Sequence, residues 1–168
     1  MCVGHLELTV TRAEGDLDLA LDVGLPADDR LSRHYLGTEP LVFNGDPADG
    51  SGPAFTIHGE CSHSGLITLI DNHTNTFEVQ TVRFTQTGAI TGAGALRKTG
   101  PSPLEFAGVI PNGFVGGLAV DEGVVVLNKG NNSVAVPALL RIGSSQGAAN
   151  SRVVQLLQAH QIADNARV

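Results

Sequence analysis

The chain of 168 residues has no tryptophan, one tyrosine, one methionine, two cysteines and only two lysines. With Tyr35 as the lone tyrosine and no indole ring, it lacks the aromatic platforms on which a carbohydrate- or peptide-binding module would stack its ligand. Cys2 and Cys61 do not form a Cys-x-x-Cys pair, and one bridge is the most they can make; two buried thiols in an intracellular protein is the simpler reading. Ten basic residues against seventeen acidic ones give a net charge of -7, and Lys98 and Lys129 stand apart, so the basic stripe that grips a phosphate backbone is missing. Nucleic acid is therefore not an expected partner. Apolar runs such as Val124 to Leu127 stop far short of the ~20 residues that cross a bilayer as a helix, so no membrane partner is expected either. Met1 to His5 carry neither the basic n-region nor the apolar stretch of a secretory leader, and Cys2 occupies the position where myristoylation needs glycine. The expected location is cytoplasmic or particle-associated.

What the chain does have is glycine, 21 residues of it, together with segments of alternating polarity. Leu6, Leu8 and Val10, then Leu17, Leu19, Leu21 and Val23, alternate with polar residues on either side of Glu14-Gly15, which predicts a hairpin with one dry face. Ala54 to Cys61, Leu66 to Asp71 and Phe77 to Thr85 read as a meander of strands separated by turn residues. Phe77 and Val79 share one parity and Val82 and Phe84 the other, so a β-bulge near Gln80-Thr81 would keep all four inside. Leu104 to Val109, Phe114 to Val120, Val124 to Leu127 and Val134 to Leu140 complete the set. Near the end Val153, Leu156, Leu157 and His160 fit one helical face behind a cap at Asn150 or Ser151. The expected fold is thus mainly β: an antiparallel sandwich or barrel of about ten short strands over residues 1–148, closed by a C-terminal α-helix over 149–168 that packs on it or on a partner. Residues 26–53, with a short strand at Leu41-Val42-Phe43, and the Gly-rich stretch 88–103 are expected to be long loops. No internal repeat is apparent.

The densest group of reactive side chains is His58-Gly59-Glu60-Cys61-Ser62-His63. His58 and Glu60, two apart on a strand, would project from one face as two metal ligands, with His73 as the third and His160 as a distant candidate. Likeness to the ligand pattern of ferrous oxygenases stops at that tripeptide, and the cupin order of two histidines followed by glutamate is not met. In a chain of this composition about 0.6 His-x-acid triplets arise by chance, so one triplet is no signal. Cys61 and His63 share strand parity as a thiol and base would, yet Cys61 falls where a small buried side chain is wanted. The glycines of Thr91 to Ala95 and Gly113 to Gly117 are not followed by the helix a phosphate loop requires. No cofactor is expected. The function that remains is a non-enzymatic assembly module, building a homo-oligomer or joining other subunits of a shell, virion or tail through apolar strand faces and extended loops, with Val153, Leu156 and Leu157 at an interface. The alternative is a small metal- or ligand-binding β-barrel enzyme using His58, Glu60 and His73.

Overall fold

The computed structural model describes residues 61–80, 82–143 and 151–168, and before them five short strand segments. These five are β1 (Cys2–Val3), β2 (Leu6–Glu7), β3 (Arg33–His34), β4 (Leu41–Val42) and β5 (Ala54–Ile57). There follow β6 (Cys61–His63), β7 (Ile67–Leu69), β8 (Thr74–Val79), β9 (Phe84–Gln86), β10 (Ile90–Gly92) and β11 (Ala95–Thr99). The series ends with β12 (Leu104–Phe106), β13 (Leu118–Val120), β14 (Gly123–Leu127), β15 (Leu140–Ile142) and β16 (Arg152–Leu156).

From β5 onward, strands adjacent in sequence do not pair. β5 pairs with β8, β8 with β11, β11 with β13 and β13 with β15, all parallel, giving a first sheet ordered β15-β13-β11-β8-β5-β2. A second sheet runs β16-β14-β12-β9-β6 and a third β10-β7-β4, again parallel throughout. The third continues through irregular segments: Gly113 N donates to Ile90 O (2.8 Å), Asn112 N to Val134 O (2.9 Å) and Ala135 N to Gln161 O (2.8 Å). The chain therefore visits the first, second and third sheets in turn, then repeats, and climbs by one strand spacing at each circuit. This is a parallel β-solenoid of about four turns.

The antiparallel sandwich or barrel expected from the sequence is thus incorrect. Period-two alternation correctly marks strands with a dry face, but it carries no information on whether the dry faces meet across two sheets or inside a coil. The meander is replaced by three-sided turns, and the bulge expected near Gln80-Thr81 does not keep Val82 inside: β8 and β9 lie in different sheets and Val82 is exposed, while Thr81 is outside the described residues. Within 88–103 the expected loop holds β10 and β11. No helix occurs among the described residues, and the segment expected to be helical carries β16, paired in register with β14 from Gly123↔Arg152 to Leu127↔Leu156. Of the expected hairpin, Leu6–Glu7 pairs antiparallel with β5, with Leu6 opposite Ile57, while Leu8, Val10 and Leu17 to Val23 lie outside the described residues. β4 covers the expected strand at Leu41-Val42; the rest of 26–53, apart from β3, is outside them too.

Parallel stacking places like positions above one another, and the core is a set of columns. Leu96, Leu118 and Leu140 form one, Phe84, Leu104 and Val125 another, and Ile67 and Ile90 a third, all buried. Phe55, Phe77 and Phe84 pack with ring centroids 5.5–5.8 Å apart, two of the three contacts edge-on. Side-chain amides close the corners where strand pairing lapses. Asn112 accepts from Ile90 N (2.9 Å) and donates to Ala135 O (2.8 Å), so one side chain ties three successive turns. Gln161, buried at the far end, accepts from Lys129 N and donates to Lys129 O, both at 2.8 Å.

At other corners the backbones approach too closely for any side chain. A Cβ on Gly88 would lie 2.1 Å from Gly65 O, and one on Gly94 2.0 Å from Ile70 O. Gly88→Ala must therefore push two turns apart, and is expected to cost about 2 kcal/mol, read as a lower urea midpoint with unchanged slope. An unchanged midpoint would contradict the stacking at this corner.

Candidate functional site

The sequence-derived metal set is not brought together by the described part of the molecule. His58 and Glu60 lie outside the described residues, and His73 is half-buried in the turn leading into β8. Among the described residues no group of three His, Cys, Asp or Glu is placed to hold a metal. His160 sits exposed in a turn with φ 55°, away from any strand. His63 is buried, its Nδ1 donating to Gln86 Oε1 (2.8 Å) while Gln86 Nε2 donates to Gly65 O (2.9 Å). That chain of bonds joins two turns and encloses the imidazole within the coil.

The two lysines are both interior, which their scatter along the sequence did not reveal. Lys98 stands in the column of Phe55, Phe77 and Val120, and its Nζ donates to the carbonyls of Thr99 and Gly100 (2.6 Å each) and Glu122 (3.2 Å). Lys129 Nζ donates to Gly88 O (3.2 Å) and Ala107 O (3.0 Å). Burial lowers the pKa of each from 10.5 to about 8; for Lys98 the charges of Glu122 and Glu78 oppose the shift. A depressed lysine is the usual form of an amine nucleophile. Here both side chains are fully buried and their protons are directed at main-chain carbonyls, so the arrangement fastens corners and offers no amine to a substrate.

The three residues expected at an interface do lie together, on and just after β16, but in strand geometry. Val153 is opposite Val124, which is half-buried, and so faces outward. Leu156 is opposite Leu127, which is fully buried, and so faces along the interior column of Phe106 and Leu127. Leu157 follows, its N donating to Leu127 O (2.9 Å). All three are about half exposed. Sequence reasoning missed their neighbour Ile142, which ends the column of Phe77, Lys98 and Val120.

Together these residues define the open end of the coil. Ile142 is 48% and Leu156 54% exposed although the residues below them, Val120 and Leu127, are at 0%. Among the described residues no named strand pairs with the outer edges of β15 and β16, where a single parallel bridge, Leu139 with Arg167, covers the start of β15; at the opposite end the antiparallel strand β2 lies across β5. Chemically, the end is covered on one side and open on the other: the C-terminal segment lies over Leu139 and Leu140, with Leu140 N donating to Arg167 O (2.7 Å) and Leu140 buried, while the columns ending in Ile142 and Leu156 stop uncovered. The signal that could have located it is the spacing of 22 residues between Leu96, Leu118 and Leu140, which announces turns and hence a last one. Comparison with known proteins found no matching family, no curated relative and no similar solved structure.

The lysines give this part of the molecule its pH signature. Because each is harder to protonate in the folded chain, the unfolded state binds more protons between pH 8 and 10.5, and stability rises with pH across that window. The gain is at most on the order of 3 kcal/mol per lysine. The thermal midpoint should climb from pH 8 toward 10.5, and Lys98→Met with Lys129→Met should flatten the climb. A midpoint that falls across the window in the unsubstituted protein would show that the ammonium groups are stabilised where they lie.

Proposed function

We propose that the chain is a non-enzymatic assembly module, joined to a second copy of itself through the open end of the solenoid. A solenoid is stable only as a stack, and the outermost turn of a soluble one needs a polar cap. The observation that carries the reading is the exposure of Ile142 and Leu156 at the head of otherwise buried columns. Covering them with another chain would continue these two apolar columns and pair the edge of β16, with β15 beyond Leu140, in the same step.

A second copy is favoured over continued head-to-tail growth by the asymmetry of the two ends. β2 runs antiparallel across the first sheet at its beginning, so that end does not present the parallel edge that the far end would extend. Meeting end to like end gives a closed two-fold pair, the commonest form of oligomer, and leaves the opposite ends outward. Whether such pairs belong to a shell, virion or tail is decided by surfaces other than this one.

Light scattering on the eluted peak should report a dimer that weakens on dilution. Leu156→Glu with Ile142→Glu should yield monomer with the same circular dichroism, since both side chains are already about half in water. A protein monomeric at hundreds of micromolar before substitution would remove this reading.

A further inference from the structure

On the outward surface of the first sheet two columns run side by side. One is Thr74 and Ala95, beside Gly117 and Leu139, which are in close contact just before β13 and β15; the other is Thr76, Arg97, Ala119 and Arg141. The turn that contributes Gly117 and Ala119 carries the smallest side chains in both, so the surface sinks by one strand spacing between larger neighbours. The result is a notch of about 180 Å³, lined by Arg97 and Arg141 on opposite sides and floored by Ala95, Ala119 and Gly116. The two arginine-bearing strands are two spacings apart, roughly 9.6 Å, which lets one small group lie between their guanidiniums.

Asp121 organises the pair. Its carboxylate is 6% exposed and its Oδ2 accepts from Arg97 Nε at 2.5 Å, leaving the two terminal nitrogens of Arg97 without a partner among the described residues. Arg141 Nη2 comes no nearer than 3.6 Å to Oδ1, and that buried oxygen makes no hydrogen bond. Arg152 adds a third positive charge, its Nε donating to Asp121 O (2.8 Å). Glu78, on the strand beyond β11, accepts from Gln80 Nε2. Two guanidiniums, those of Arg97 and Arg141, thus flank the Asp121 carboxylate, and a third, Arg152, is held on its main-chain carbonyl.

A comparable cluster on the second sheet shows what a purely structural version looks like. There Glu105 accepts from Arg83 Nη1 and from Asn128 Nδ2, both at 2.8 Å, and each carboxylate oxygen is satisfied. It ties three turns with one arginine. The Asp121 carboxylate has two arginines beside it, one oxygen hydrogen-bonded and the other not, and the side chain of Arg141, 59% exposed, makes only a long contact beside a notch.

We propose that this notch binds a compact oxyanion, the phosphate or sulfate group of a small ligand, clamped between Arg97 and Arg141. Asp121 fixes Arg97 by Nε, so that its terminal nitrogens present the fork that suits a tetrahedral oxyanion, and Arg141 swings from its long contact to close the other side. The apolar floor of Ala95 and Ala119, with Leu139 beside it, accommodates the carbon atom nearest the ester oxygen. The notch opens on the outward face of the first sheet, whereas the proposed pairing uses the end of the coil; Arg141 lies on the last strand, β15, next to Ile142.

Calorimetric titration at low ionic strength with inorganic phosphate, and separately with sulfate, tests it. Saturable binding of one anion per chain is expected, the tighter of the two naming the group. Arg141→Gln should weaken it at least about tenfold, as should Ala119→Leu, which fills the notch, while Arg83→Gln on the second sheet should leave it unchanged. Unchanged thermal midpoints in the variants would show that the fold is intact. No saturable binding of either anion, or equal loss in Arg83→Gln, would overturn the site.

Discussion

The vertical fit of one turn on the next governs everything else in this molecule. A single circuit of about 22 residues has a narrow interior and cannot bury its own apolar side chains; it does so only with another circuit above and below. Leu118 is buried because Leu96 and Leu140 lie on either side of it, and Val125 because Leu104 and Val154 do. Stability in such a fold is a sum of neighbour contributions, and a residue at the end of a column has neighbours on one side only unless another segment covers it, as the segment at Arg167 covers Leu140. The exposure of Ile142 and Leu156 is therefore a direct consequence of the architecture, as is the protection of the apolar side chains one turn below.

The same fit explains where glycine and asparagine fall. In register, main chain passes over main chain at about 4.8 Å, and at tight corners the separation leaves no volume for Cβ. Gly94 is pressed against Ile70 O and Gly116 against Gly94 O, so two glycines 22 residues apart answer one geometric demand. Asn72, Asn131 and Asn132 adopt positive φ between 56° and 60°, the conformation in which asparagine is the best of the side-chain-bearing residues. A composition rich in glycine, read from sequence as loops, is here the composition of close-set corners.

Much of the local structure was legible and the global arrangement was not, for reasons that lie in particular residues. The alternation of Phe77 with Val79, or of Leu118 with Val120, declares a strand and its dry face without declaring a partner. The partner is declared by distance along the chain: Leu96, Leu118 and Leu140 recur at intervals of 22, but Lys98 breaks the neighbouring column between Phe77 and Val120, and Asn75 heads the leucine column itself. Polar residues at core positions disguised the repeat. Val153, Leu156 and Leu157 satisfy a helical period as well as a short strand, and a brief apolar run cannot choose between the two. The choice is made by Val124 to Leu127, a strand edge waiting one turn below. Of the open end, Val153, Leu156 and Leu157 were visible as apolar residues needing cover, but not Ile142, whose place depends on a column. Arg97, Arg141 and Arg152 are far apart along the chain, and nothing but the coil brings them to Asp121.

The polar residues that hid the repeat also fix it. Columns of leucine and valine are nearly indifferent to a slip of one turn, since each apolar side chain would meet another. Lys98, Lys129, Asn112 and Gln161 are not indifferent, because each has its donors aimed at particular carbonyls, and a slipped register would leave a buried ammonium or amide unmatched. Buried ionic groups are seldom the most stabilising way to fill a core: burial lowers the pKa of both lysines, and for Lys98 it outweighs the charges of Glu122 and Glu78. Their contribution is to make alternatives worse. In a fold whose repeating geometry would tolerate many registers, a few demanding side chains that are satisfied in only one of them select it.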